Sequence, residues 1–500
     1  MRIPLSLLSA AVAVSAVAAE PDYSLTVYSS AQPGQINTEQ LANYGDNLPG
    51  YALVRDTRSM GLQRGRSELR FSDVAARMDP TTVGFTSLSD PGGTRVIEQN
   101  YQYDLVSGQK LLERFIGETI SVEQVRGDQL ETISGRLLSA QNGLTLQTGS
   151  GELITLNSWS GLRFPSLPGG LMTKPTLVWL IDSAKGGNQQ VRVSYQARGI
   201  TWWADYNATL DESQGCRLQL GAWVSLVNQS GGSFANAQLK LVAGEVNRAP
   251  AAAPVPRGAM MKHSMVAEAV MDEGFSEQSL FEYHLYTLGR RTDLPDNSTK
   301  QLELFPAASG VKCDKQLIFT AAPANRAFYG APNTSQGYAA SQDGKVGVYI
   351  EFANRKENGM GMPLPAGRLR INQLNPDDGS LEFIGEDLIK HTPRNETLNI
   401  KLGDAFDVVG ERRQTDFKLD MAAKWMEESF EIKVRNRKQS AAKVSVREYL
   451  YRWSGWQIIA ESHQHQKRDQ QTIDFPLSIA ADGEATVRYT VRYSWSSVER

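Results

Sequence analysis

Apolar and polar residues alternate with period two along most of the chain, the repeat of a strand that buries one face and wets the other. The clearest run is TVRYTVRYSW near the C-terminus. Val487, Tyr489, Val491, Tyr493 and Trp495 fall on one face, and Thr486, Arg488, Thr490, Arg492 and Ser494 on the other. QVRVSYQA repeats the scheme with Val191, Val193, Tyr195 and Ala197. It follows TLVWLID through SAKGGN, whose Gly186–Gly187 suit the positive φ of a tight hairpin. In KVSVREYLYRW the alternation slips near Glu448, which predicts a bulge. The run GITWWADYNATLD, residues 199–211, sets Trp202 beside Trp203. Neighbours on a strand point to opposite faces, so one tryptophan is expected in the central core and the other against an adjoining domain.

These patterns predict a mostly β, multidomain protein of antiparallel sandwiches and barrels with few helices. Length supports several domains, since 500 residues exceed what one core serves. An N-terminal β domain is expected over residues 20–116. Over 117–165, four or five short strands separated by Gly127–Asp128, Asn142–Gly143 and Gly149–Ser150–Gly151 suggest a small SH3-like barrel. A central β domain is expected over 166–415, interrupted by an Ala/Pro/Met-rich insertion at 245–276 that reads as disordered. Residues 416–500 read as a C-terminal β-sandwich of immunoglobulin-like size.

The first residues change the compartment. Arg2, the apolar run Ile3 to Val14 and the small-x-small pattern Ala16–Val17–Ala18 have the three parts of a secretory signal, expected over residues 1–19. That apolar run is shorter than the ~20 residues a membrane span needs, and no later segment is long and apolar enough. The expected location is therefore the periplasm of a Gram-negative bacterium or the medium. Strands of five to eight residues argue against an outer-membrane barrel. The two cysteines, Cys216 and Cys313, meet an oxidising compartment on this reading. They either pair, which closes a long loop worth about 4–5 kcal/mol, or lie as separate buried thiols. A net charge of −3 with no basic block removes nucleic acid from the expected partners.

Two central stretches carry a resemblance. GITWWADYNATLD and LGAWVSLVNQSGGSFANAQLKLVAGEVNR are followed, after the insertion, by FEYHLYTLGRRTDLPDNSTKQLEL and then by NGMGMPLPAGRLRINQLNPDDGSLEFIGEDLIKHTPRNETLNIKLGDAFDVVGERRQTDF. Over roughly residues 170–495 this resembles the bacterial domain-of-unknown-function family found in mucoidy-inhibitor A-like proteins. Those proteins usually carry a coiled-coil segment near the N-terminus. Here no heptad run is present and the barrel-like block stands in its place, so the chain resembles a shorter subgroup. The resemblance implies an exported, β-rich bacterial protein and transfers no catalytic residue.

Local motifs for chemistry are sparse. His463 and His465 share a strand face at i, i+2, a legal metal pairing without a visible third ligand. Met260, Met261, His263 and Met265 offer soft donors that suit copper(I), against a background of 12 methionines in the chain. Ser309–Gly310–Val311–Lys312 matches S-x-x-K but leads into a strand-like run rather than opening a helix. Asp377–Asp378 reads as turn chemistry and Glu386–Asp387 as a solvated edge. No cofactor is implied. Nine tryptophans in an exported β protein point instead to contact surfaces, with Trp202, Trp203, Trp223, Trp453 and Trp456 as candidates. The expectation is a non-catalytic cell-envelope protein that binds another envelope protein or a glycan. The alternative is an envelope hydrolase or carbohydrate-binding protein whose site is assembled between domains.

Overall fold

The computed structural model describes residues 21–28, 34–36, 38–102, 106–126, 129–168, 171–213, 215–244, 246, 275–320, 330–338, 341–375 and 377–495. The protein is mostly β and multidomain; the longest α-helix among the described residues is Gly108–Arg114. Period-two patterns become strands as expected. In Glu484–Ser494 the side chains of Val487, Tyr489, Val491 and Tyr493 are buried, while Arg488 and Arg492 reach solvent.

The N-terminal layer is an eight-stranded sheet. Asp22–Tyr28 pairs antiparallel with Tyr51–Leu62 and parallel with Phe234–Ala243. Gly187–Arg198 lies beyond Tyr51–Leu62, and Met78–Ser87 forms one edge. A separate three-stranded sheet places Thr176–Ser183 between Gly65–Ser72 and Thr94–Gln102. The expected hairpin between TLVWLID and QVRVSYQA is therefore corrected. Its two strands belong to different sheets, and Gly187, at φ 104°, carries the chain from one layer to the other. Each strand finds long-range partners on both sides, so both are interior strands, and Trp179 is fully buried between the layers.

Thr119–Arg126, Gln129–Ser139, Leu144–Thr148, Leu153–Leu156 and Gly161–Arg163 form an antiparallel five-stranded unit, with the last strand beside the first. Asn142 and Gly143 both take positive φ where the second strand turns into the third. This unit has its own small core around Leu137, Leu144 and Leu146.

The largest sheet has thirteen strands. Ile200–Asp211 pairs antiparallel with Arg217–Asn228 and parallel with Gly367–Leu374, whose other neighbour is the edge strand Leu381–Ile389. Two long strands, Ser298–Phe319 and Thr397–Asp420, run through its middle. The first pairs with Arg217–Asn228 up to Lys312, and with Ser341–Ala353 from Cys313 onward. The sheet thus crosses the boundary expected at residue 415. Its first part shares one core with the two N-terminal sheets, and its second part joins Ala442–Tyr449 and Thr472–Ile479 around a second core. No bulge occurs at Glu448: Ala442–Tyr449 stays in continuous register with Thr472–Ile479. Glu448 keeps its inward position, and Arg412 meets it there. The expected signal segment and most of the 245–276 insertion lie outside the described residues.

Candidate functional site

Ile200–Asp211 alternates strictly. Ile200, Trp202, Ala204, Tyr206, Ala208 and Leu210 are buried in the first core. Trp202 is 2% exposed, and its indole nitrogen has no hydrogen-bond partner there. The opposite face presents Trp203, Asp205 and Asn207. Trp203 is half-buried against a small cluster of Ile36, Leu48 and Val227, on which Leu41 and Tyr44 also pack, so one end of this outer face is covered. The rest of the face is open among the described residues. It forms a cleft of about 390 Å³, within the ~300–1,000 Å³ common for small-molecule sites.

Sheet register assembles the cleft from four neighbouring strands. Asp205 stands opposite Trp223 on one side and Arg368 on the other; Asn207 stands opposite Arg370, and Ser225 opposite Gln301. Polar bonds then lock the array. The Trp203 indole N–H donates to Asp205 Oδ2 at 2.7 Å, and the Ser225 hydroxyl donates to the same oxygen at 3.1 Å. The Gln301 amide donates to Ser225 Oγ at 3.2 Å. Arg370 lies 3.6 Å from Asp205 Oδ1 and reaches Glu386 Oε2 from its Nε at 3.2 Å. Arg368 approaches Glu386 at 4.0 Å. Gly34 closes the wall at φ +74°, where a Cβ would come within 3.1 Å of the Arg368 guanidinium.

Asp205 is thus a carboxylate with 14% side-chain exposure whose oxygens face an indole N–H, a hydroxyl and a guanidinium. The two bonds to Oδ2 orient the carboxylate as an acceptor. Trp223 is the reverse case. It is 41% exposed, and no aromatic ring or cation stacks on it among the described residues. The cleft pairs one free aromatic face with a pre-set row of planar polar groups.

The other candidates lie elsewhere. Trp453 and Trp456 pack against the second core, and the Trp456 indole donates to the Gln470 carbonyl at 2.8 Å while Lys467 sits over its ring. The expected aromatic contact surface is therefore divided, with only Trp203 and Trp223 at the cleft. His463 hydrogen-bonds Ser462, and His465 pairs with Glu461 at 2.7 Å; no group of three metal-capable side chains occurs among the described residues. Met260, Met261, His263 and Met265 fall outside the described residues. Cys216 and Cys313 form a disulfide, which settles the two readings left open for them. Ser309 and Lys312 both lie within the strand Ser298–Phe319. Asp378 accepts the Ser380 N–H, and this bond holds its carboxyl below the usual range. Glu386 lies exposed on the edge strand Leu381–Ile389, as read from the sequence, and also pairs with Arg370. Asp205, Ser225, Gln301, Arg368 and Arg370 carried no local motif. Only the parallel pairing of residues 204–210 with 367–373 brings the arginines to Asp205, and no short pattern announces it. No family model matches the chain, and no curated protein matches it.

Proposed function

We propose that the chain is an exported, non-catalytic binding protein of the bacterial cell envelope, with the Trp203–Trp223 cleft as its recognition site. One observation carries this reading. The cleft's central carboxylate is oriented by two bonds to its Oδ2, from Trp203 and Ser225, while Trp223 offers an aromatic platform free of stacking among the described residues. A hydrolase would need a carboxyl placed to give a proton to the ligand or take one from it. The leader-like first residues and the Cys216–Cys313 disulfide support export, since such bonds persist in oxidising compartments. No helix among the described residues is long and apolar enough to cross a membrane.

The test immobilises the mature protein, wild type and Trp223→Ala, and passes solubilised envelope extract over each. The wild type should retain an envelope component that the variant loses, with no smaller products released from envelope polymer on prolonged incubation. Equal retention by both proteins would remove the cleft from the function. Release of products would replace binding by hydrolysis.

A further inference from the structure

We infer that the cleft's ligand is a neutral saccharide, one ring of which stacks on Trp223 while its hydroxyls bond to the row Asp205, Asn207, Gln301 and Arg370. The inference rests on the binding role proposed above and adds the ligand's chemical class.

Three features select that class. First, carboxylates offset the cleft's two arginines: Arg370 faces both Asp205 and Glu386, and Arg368 approaches Glu386 at 4.0 Å. A phosphate or carboxylate ligand would look for an uncommitted guanidinium or a helix N-terminus. Arg370 is held between two carboxylates, and the cleft lies on strands. Second, the site sits on the face of a sheet and not at an edge. Ile200–Asp211 and Arg217–Asn228 are each paired on both sides, so their backbone groups are occupied. An extended peptide that binds by adding a strand finds no free ladder here.

Third, the remaining surface matches a sugar's two-sided character. A pyranose offers a face of C–H groups and a rim of hydroxyls that both donate and accept. Trp223 supplies an indole face 41% open to solvent, with no ring or cation stacked on it among the described residues. Around it stand an oriented acceptor in Asp205, a donor in Arg370, and two amides, Asn207 and Gln301, that do both. The Asn207 side chain makes no hydrogen bond among the described residues, so its donor and acceptor are both available. Asp205, Gln301 and Arg370, held by their own neighbours, lose little entropy when adjacent hydroxyls bridge them.

The decisive experiment applies labelled mature protein to a printed array of neutral and acidic oligosaccharides and titrates the hits in solution by tryptophan fluorescence. Wild type should bind neutral glycans saturably. Trp223→Ala should weaken the hits by about tenfold or more, and Trp223→Phe, which keeps a ring, by much less. Both variants should melt within a few degrees of wild type, because the ring they remove is exposed. Hits confined to acidic glycans and abolished by salt would overturn the saccharide's neutrality and with it the inference. An array with no hit above the Trp223→Ala background would overturn it too. If the envelope retention of the preceding test persists in either case, binding at the cleft stands and only the ligand class falls.

Discussion

Glu448 is fully buried in the second core, and two donors converge on its carboxylate. Arg412 Nε reaches its two oxygens at 2.9 and 3.1 Å, and the Tyr489 hydroxyl donates at 2.6 Å. The Arg412 guanidinium in turn lies 3.6 Å above the centre of the Phe430 ring. Breaking such a buried pair leaves one charge desolvated and alone, a cost of about 3–5 kcal/mol. Arg412→Met is therefore expected to lower the free energy of unfolding by roughly that amount, read from urea titrations. The double variant Arg412→Met, Glu448→Leu should recover most of the loss, because it removes the stranded carboxylate as well. A double variant as unstable as the single one would show that the pair contributes through packing shape instead. The same residue marks a limit of sequence reading. A glutamate on the apolar face looks like a broken alternation, and the partner that makes it regular lies 36 positions away on another strand. Asp205 shows the same limit at the cleft. Its spacing places it on the outer face beside Trp203, but its role comes from Arg370, which only tertiary pairing supplies.

At the scale of elements, the long strand Ser298–Phe319 changes partners at one point. Lys312 is its last pairing with Arg217–Asn228, and Cys313 its first with Ser341–Ala353. The disulfide to Cys216 sits at that junction, next to the start of Arg217–Asn228, and the Cys313 N–H donates to the Cys216 carbonyl at 3.1 Å. The bond closes a loop with a separation of 97 residues. Chain entropy alone rates such a closure at about 4–5 kcal/mol. Replacing both cysteines by serine should lower the unfolding free energy by up to that amount, and a reductant should do the same to wild type but nothing further to the variant. A melting temperature indifferent to reductant would mean the bond constrains nothing that unfolds. Strands such as Gly187–Arg198 were legible because one face is buried and the other wet, and period two is the direct trace of that. Their partners were not. A strand's own residues record which face is buried but not which distant strand supplies the neighbour, so Thr176–Ser183 and Gly187–Arg198 read as a hairpin while joining separate sheets.

Across the whole molecule, both cores are held by tyrosines that must stay neutral. In the first core, Tyr206 donates to the Pro365 carbonyl and Tyr286 to the Pro363 carbonyl, each at 2.8 Å, so two sheets grip one connecting segment. Burial pushes the phenols of Tyr195, Tyr206 and Tyr286 far up, and that of Tyr23 to about 12. Burial raises Tyr489 and Tyr493 of the second core likewise and takes Tyr451 to about 12. An unfolded tyrosine loses its proton near pH 10. Above that point the unfolded chain binds fewer protons than the folded one, so stability falls as pH rises. The stabilising contribution is whole below pH 10 and is lost as pH climbs through the folded values, at about 1.4 kcal/mol per pH unit for each such tyrosine. Because these groups occupy both cores, the two sandwiches should lose stability in the same alkaline window. Urea titrations repeated from about pH 9 to 11.5 should show a steep decline beginning near pH 10, with the phenolate absorbance of the buried class appearing only as the protein unfolds. Phenolate signal from that class in a still-folded protein would mean that hydroxide reaches the cores, and the shared tyrosine brace would have to be abandoned.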